Sequence, residues 1–419
     1  MKKTTTILIL SLLMIATTSS AQWTVNTSPV SGYFTAFDIH FNNNNDGFVG
    51  GQTALIGGSG KISKTTNGGS SWTDVFSVAN TVVKDIFFVN SNLGFAVGGG
   101  GLIAKTTDGG DNWTSQIYTN PNTFNFEAFE SIYFIDQNTG YIAGGFNEMW
   151  VMKTTDGGSN WSALTMPAYF QRLKSIYFTN ANTGYIAGGD NTGGGTGEIY
   201  KTIDGGTSWT QLNSNVSNKY YNDIHFIDAN NGVIGCNDGT LLKTTNAGLS
   251  WTTITNPAGN DAITEFGFAN STLGYAAIIT GKIIKTIDGG NSWSIDATVS
   301  PTMSALYSIT IPSTTYGASV GFFGQYAEIN ESTNVSNISG NTNYSIYPNP
   351  TTGDIFINLT EVKAQLKATL TNSLGQVVFS EKFESKNTIK LNIKTPKGIY
   401  FLQLETENGD IITKKIIKR

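Results

Sequence analysis

Four carboxylates, Asp108, Asp156, Asp204 and Asp288, stand in one recurring phrase, each followed by two glycines and, five residues on, by a tryptophan. Asn67 and Asn246 take the same place in two further copies. Carboxylates can ligate hard cations, and paired ones can hydrolyse glycosides. An acid beside Gly-Gly more simply shapes a turn, in which its oxygens accept backbone N–H groups while glycine supplies the positive φ. These six are expected to form turns, with Trp72, Trp113, Trp161, Trp209, Trp251 and Trp293 anchoring the strands that follow. A second set, Asp38, Asp85, Asp223 and Glu265, shares with Ser131, Ser175 and Ser308 the first positions of seven apolar strands. Four acids in a ring of seven could hold a hydrated cation. Such residues are more often solvated strand starts, so no metal or other cofactor is expected, and these four acids are the metal candidates. His40 and His225 occupy equivalent places in the first and fifth repeats, on opposite arcs of a ring, which does not make a zinc site. Cys236, the only cysteine, stands where other repeats have Gly or Ala and is expected to be buried, leaving no internal disulfide.

The element that must position these groups is a repeat. The phrase Lys64–Trp72 recurs at Lys105, Lys153, Lys201, Lys243 and Lys285, six copies in all. A second phrase, as in Ser175–Gly189, recurs seven times, its glycine falling at Gly47, Gly94, Gly140, Gly184, Gly232, Gly274 and Gly317. Alternation at period two between Asn/Gly turns predicts short antiparallel strands, and four strands every 41 to 48 residues predict a propeller blade. Seven first halves but six complete second halves leave one strand short. Gln22-Trp23-Thr24-Val25 has the form of that strand and is expected to complete the last blade, closing the ring and removing an open sheet edge. The expected fold is all-β: a seven-bladed β-propeller over residues 22–330, a polar linker over 331–343 and a small Ig-like β-sandwich over 344–419.

Residues 1–21 read as a secretory signal peptide: Lys2 and Lys3, an apolar run from Ile7 to Ala16, then small residues up to Ala21. No other segment approaches the roughly 20 apolar residues of a membrane-spanning helix. Residues 22–343 hold 12 Lys and Arg against 23 Asp and Glu, while residues 344–419 hold 11 against 7. The acidic, arginine-poor larger part argues against nucleic acid, whose binding rests on cations that neutralise phosphates.

The nine-residue phrase resembles the Asp-box of sialidases, sortilin-like receptors and the photosystem II assembly-factor propellers; Thr106, Asp108, Gly110 and Trp113 match its pattern in full. The resemblance implies a propeller, and its functions do not transfer. Sialidases use an arginine triad, and Arg172 is the only arginine among residues 22–330. The assembly factors' arginine-rich patch has no counterpart either. The C-terminal module carries Tyr344-Ser-Ile-Tyr-Pro-Asn-Pro-Thr-Thr-Gly353, then Leu374-Gly-Gln, Gly398-Ile-Tyr and a basic end at Lys414–Arg419. In this order the motifs resemble the type A sorting domain of the type IX secretion system. That resemblance implies passage across the outer membrane, contact of residues 344–419 with the secretion machinery, and a protein released or held at the cell surface.

Loop lengths separate the two faces of the expected disc. The first turn of each blade and the Asp-box turn keep their lengths, whereas the other two connections vary. The variable face gathers aromatic and charged residues: Tyr33, Phe34, Phe124, Phe126, Glu127, Phe129, Tyr169, Phe170, Arg172, Tyr220 and Tyr221, with Phe146, Glu148 and Trp150 close by. Of these, Phe124, Phe126, Glu127, Phe146, Trp150, Tyr169, Phe170, Arg172, Tyr220 and Tyr221 are the candidate ligand-binding residues. No residue is assigned a catalytic role. The expected function is a monomeric, non-catalytic, secreted or surface-held protein that binds an extracellular protein or glycan; the competing reading is an extracellular glycoside hydrolase acting on polysaccharide.

Overall fold

The computed structural model describes residues 23–26, 32–33, 35–119, 128–145, 150–164, 166, 172–189, 197–214, 216, 219–299, 305–330, 344–372, 376–406 and 411–419. The chain forms two compact units, dividing between Glu331 and Ser332.

Seven four-stranded antiparallel sheets make up the first unit. Blade 1 consists of Thr35–Phe41, Gly47–Gln52, Ser59–Thr65 and Thr73–Ala79. Blades 2 to 6 repeat this order, and blade 7 takes Leu306–Ser313, Tyr316–Gly321 and Tyr326–Asn330 together with the N-terminal strand Thr24–Asn26. Thr24 lies opposite Glu328 and Asn26 opposite Tyr326, so the first described strand seals the last sheet. Trp23 wedges this seam: its indole is buried, meets Tyr275 edge-on at 5.7 Å and donates from Nε1 to Asp296 Oδ2 at 3.0 Å.

Burial explains the sequence pattern strand by strand. In each of blades 1 to 6 the second strand has neighbouring blades on both faces; Gly140–Gly144, Gly-Tyr-Ile-Ala-Gly, is buried throughout and does not alternate. The fourth strand is the solvent edge, and Thr114–Ile117 is exposed throughout. Between blades an aromatic triad recurs. An aromatic of one second strand stacks on the last Phe of the next blade's first strand, as Phe95 on Phe134 at 3.9 Å and Tyr185 on Phe226 at 3.9 Å. The repeat tryptophan then closes edge-on, Trp161 on Phe134 at 5.9 Å and Trp251 on Phe226 at 6.2 Å.

The Asp-box turns are built as their composition dictates. Asp108 Oδ1 accepts from Asn112 N at 3.0 Å and Thr106 Oγ1 at 2.8 Å, while Gly109 and Gly110 hold φ of 73° and 80°. The Asn112 amide, the Asn112 backbone and the Thr106 hydroxyl pull the Asp108 pKa down to about 2. Asn67 and Asn246 make the same backbone bond, each at 2.9 Å to Ser71 N and Ser250 N. Each turn also clasps the first turn of its own blade, as Gly109 N to Asn92 O at 2.9 Å. The repeat lysine ties it to the preceding blade: Lys105, Lys153 and Lys243 donate to Gly157, Gly205 and Gly289 carbonyls at 2.7, 2.7 and 2.5 Å.

The second unit is a small β-sandwich built on Asp354–Asn372, whose register breaks between Asn358 and Lys363. Its two halves contribute Ile355 and Ile357, and Leu366, Ala368 and Leu370, to one core with Leu402, Leu404 and Ile416. The Tyr-Pro-Asn-Pro motif fastens the last strand: Asn349 donates to Lys415 O at 2.7 Å and accepts from Ile417 N at 2.9 Å.

Candidate functional site in the central channel

All seven innermost strands carry the same irregularity. In blade 1 the register passes from Ala36 to Asp38 and leaves Phe37 outside the ladder. The residue left out is Lys84, Glu130, Lys174, Asn222, Thr264 and Tyr307 in blades 2 to 7. A β-bulge of this kind re-aims its side chain. In blades 1 to 6 both the bulged residue and its successor therefore line the central channel, a cavity of about 600 Å³.

The successors are the seven residues whose acids formed the cation candidates, and they bind backbone. Asp38 Oδ2 accepts from Ile86 N of the next blade at 2.8 Å, and Asp85 Oδ2 from Ile132 N at 2.7 Å. Ser131 Oγ accepts from Ile176 N at 3.4 Å and Ser175 Oγ from Ile224 N at 3.3 Å. Asp223 Oδ2 then accepts from Phe266 N, and Glu265 Oε2 from Ile309 N, both at 2.9 Å. Ser308 Oγ accepts from Ile39 N at 3.1 Å and returns the belt to blade 1. Serine and acid do the same work here, one acceptor oxygen per blade. Burial of the charged form is the first cause of their shifts: Asp38 rises to about 6, and Asp85 and Glu265 are raised well above the usual carboxylate range, the charge of Asp38 adding to burial. Among the described residues no three His, Cys, Asp or Glu side chains group as metal ligands.

Deeper in the channel, His40, Phe87, Tyr133, Tyr177 and His225 form an aromatic collar with successive ring centroids 6.4, 5.1, 5.4 and 4.9 Å apart. Burial lowers both imidazoles to about 4, so they are neutral at pH 7. They lie in blades 1 and 5, as the repeat implied.

The mouth, on the side where the variable loops begin, is where charge collects. Glu130 is 8 % exposed. It pairs with the Arg172 guanidinium and with Lys174 Nζ at 2.8 Å. Burial pushes its carboxyl up, but Lys174, Lys84 and Arg172 outweigh that and bring it to about 2. Lys84 Nζ lies 3.4 Å above the centre of the Phe37 ring. Burial, with the charges of Lys174 and Arg172, lowers Lys84 to about 8 against the opposing pull of Glu130.

Of the aromatic and charged set expected on the variable face, the structure brings Arg172 and Tyr220 to this mouth. Tyr221 is elsewhere: fully buried, it fills the core between blades 4 and 5 and donates to Ser214 Oγ at 2.6 Å. Phe129 is likewise a core residue, because the bulge turns the residue just before it into the blade interface, and Tyr33 is buried against the second strand of blade 1, donating to Val49 O at 2.9 Å. Trp150 opens a strand opposite Gly144. Phe34, Phe124, Phe126, Glu127, Phe146, Glu148, Tyr169 and Phe170 lie outside the described residues. Lys84, Glu130, Lys174 and Tyr307 did not stand out in the sequence; each is the residue immediately before a belt position, a signal present in the repeat.

Fold and composition define an Asp-box β-propeller that carries a sorting tail. Residues 345–419 match the secretion system C-terminal sorting domain, and residues 69–170 match the photosynthesis system II assembly factor YCF48. The tail makes this a secreted, cell-surface propeller protein that engages the type IX secretion machinery. No curated protein matches the chain. Among solved structures it is similar to YCF48 bound to D1 peptide, at 19 % identity and TM-score 0.59 over 74 % of this chain and 96 % of that one. YCF48 from Cyanidioschyzon merolae is similar at 20 % identity and TM-score 0.57, over 74 % and 99 %. PorZ, an essential bacterial surface component of the type IX secretion system of Porphyromonas gingivalis, is similar at 12 % identity and TM-score 0.57, over 93 % of this chain and 60 % of PorZ. At these identities the likeness is one of fold. No helix among the described residues is long and apolar enough to cross a membrane.

Proposed function

We propose that the mature chain is a non-catalytic recognition protein that binds an extracellular protein or glycan through the loop-side face of its propeller, acting as a monomer. The observation that supports this most is the channel mouth. There the bulged residues differ from blade to blade and gather cations, a carboxylate and aromatic rings, while every belt acid is engaged by a backbone N–H. Acids held in that way are poorly placed for proton transfer to a substrate, which disfavours the hydrolase reading. The test is to screen the purified chain on glycan and surface-protein arrays, and to assay polysaccharides for released product. Changing Phe126, Trp150 and Tyr220 to Ala is expected to abolish array binding, whereas changing Asp111 on the Asp-box side is not. Product release that disappears on replacing one Asp or Glu would establish the hydrolase instead.

A further inference from the structure

The mouth of the channel has two unlike halves. On the arc of blades 2 to 4, Lys84, Arg172 and Lys174 surround a single carboxylate, that of Glu130. At the level of the bulges this is three cations against one anion, with the belt acid Asp85 one residue below, a local reversal of sign since residues 22–343 carry only 12 Lys and Arg against 23 Asp and Glu. Two of the cations are bonded to Glu130; Lys84 has no carboxylate within ion-pair distance among the described residues and rests on the Phe37 ring. Arg172 Nε is buried without a hydrogen-bond partner among them. Bonding capacity for an anion is therefore left over.

The opposite arc, from blades 5 to 7, is uncharged at the bulge positions. Asn222 donates its amide to Ile263 O at 2.8 Å and Thr264 its hydroxyl to Ala277 O at 3.0 Å. Their remaining capacity is mainly to accept, through the Asn222 carbonyl oxygen and the Thr264 hydroxyl oxygen, with one Asn222 N–H beside them. Tyr307 completes this half, its ring tilted against Phe37 at 5.5 Å between centroids. A simple inorganic anion would use the cationic arc and leave the acceptors and the ring idle. An extended peptide gains most of its affinity by adding to an open strand edge; the inner strands are edge strands of their sheets, but on each of them a channel-side N–H, from Ile39 to Ile309, is already taken by a belt side chain of the preceding blade. A sugar acid uses both halves: its carboxylate takes the charge-assisted bonds, its hydroxyls donate to Asn222 and Thr264, and its C–H face lies on an aromatic ring. The cavity of about 600 Å³ falls in the range of roughly 300–1,000 Å³ typical of small-ligand sites.

We infer that the channel mouth binds an acidic sugar, a uronate at the end of a chain, which enters end-on with its carboxylate on the Lys84–Arg172 arc. The inference rests on the loop-side recognition proposed above and narrows it to one site and one ligand class. Burial first, and then the charges of Lys174 and Arg172, lower the Lys84 pKa; a ligand carboxylate on this arc would act in the opposite direction.

The experiment is calorimetric titration of the full mature chain with glucuronate and with trigalacturonate, against glucose and maltotriose. The uronates are expected to bind and their neutral counterparts to bind at least about tenfold more weakly; Lys84→Met should weaken uronate binding about tenfold and Lys84→Arg should retain it. A melting curve checks that each variant is folded, and Lys174→Met replaces Lys84→Met if the latter is not. Equal uronate affinity in wild type and Lys84→Met, or equal binding of neutral sugars, overturns the site. A short peptide that binds through its C-terminal carboxylate more tightly than the uronates, and is lost in Lys84→Met, overturns the sugar. Uronate failure with array binding still sensitive to Phe126 and Trp150 removes this site alone; loss of both removes the loop-side reading with it.

Discussion

At the Asp-box end of the disc, six turns repeat one bond, a side-chain oxygen of Asp or Asn accepting the N–H four residues on, at 2.9 to 3.0 Å. At the channel mouth, seven equivalent positions hold Phe37, Lys84, Glu130, Lys174, Asn222, Thr264 and Tyr307. The two ends obey different rules because they satisfy different demands. A turn needs a short acceptor and a glycine, so few residues serve. A bulged residue is out of the ladder and no backbone bond common to all seven is asked of its side chain, so its type is free: Asn222 and Thr264 bond carbonyls, whereas Phe37 and Lys84 pack on each other. Between the ends lies the belt, where the demand is one acceptor oxygen, and Asp, Glu and Ser all meet it. Constraint thus falls from one end of the channel to the other, and the least constrained layer is where this molecule differs from a generic propeller.

That comparison presumes a closed ring, and closure is the place to break it. Deleting Gln22–Thr27 removes the fourth strand of blade 7 together with the buried Trp23 and its bond to Asp296. Losing one buried tryptophan costs about 3–5 kcal/mol, so melting should fall by about 10 °C or more, with aggregation through the exposed edge. An unchanged melting profile would mean that the last sheet does not need its N-terminal strand.

The belt gives a sharper cut, because it uses an acid where a neutral group could serve. The Asp85 carboxyl is raised by burial and by the charge of Asp38, so its folded pKa lies above its unfolded one. Such a group favours folding while protonated, and that contribution is lost as pH rises through the folded value. Asn in its place still offers an oxygen to Ile132 N but cannot ionise. Asp85→Asn is therefore expected to melt close to wild type at pH 4 and several degrees above it at pH 8. A variant that is destabilised more at pH 8 than at pH 4 would show that the carboxylate, charge included, is needed there.

How much of this was legible in the sequence follows the same gradient. The seven blades, the closing strand and the Asp-box turns could be read because each depends on a short local phrase repeated at fixed spacing. The belt positions were found as strand starts, but their use was not, since an acceptor for a backbone N–H in the next blade leaves no local trace; Asp38 and Ile86 are 48 residues apart. The mouth was only partly visible. Arg172 and Tyr220 stood out by type, while Lys84, Glu130 and Tyr307 became neighbours only when bulges recurring once per blade turned them into one channel. Tyr221 was misplaced for the same reason: one step along a strand exchanges the surface for the core, and the bulge decides which step is taken.

The smallest effect concerns the one turn that departs from its phrase. Ala247 holds a φ of 58°, where the five other turns have Gly68, Gly109, Gly157, Gly205 and Gly289 between 65° and 73°. A left-handed alanine costs about 1–2 kcal/mol, and the turn tolerates it because the Ala247 carbonyl is gripped by Tyr185 Oη at 3.0 Å and Lys201 Nζ at 2.9 Å. Ala247→Gly relieves the strain but adds freedom to the unfolded chain, so the expected net gain is about 0.5–1 kcal/mol, read as a rise in melting temperature of about 1 to 3 °C. The converse, Gly109→Ala, should lose a similar amount, because it forces the same left-handed φ on a residue that carries a Cβ. If Ala247→Gly instead destabilises, the turn in blade 5 is held by the alanine methyl, and the six turns are less alike than their shared hydrogen bond makes them.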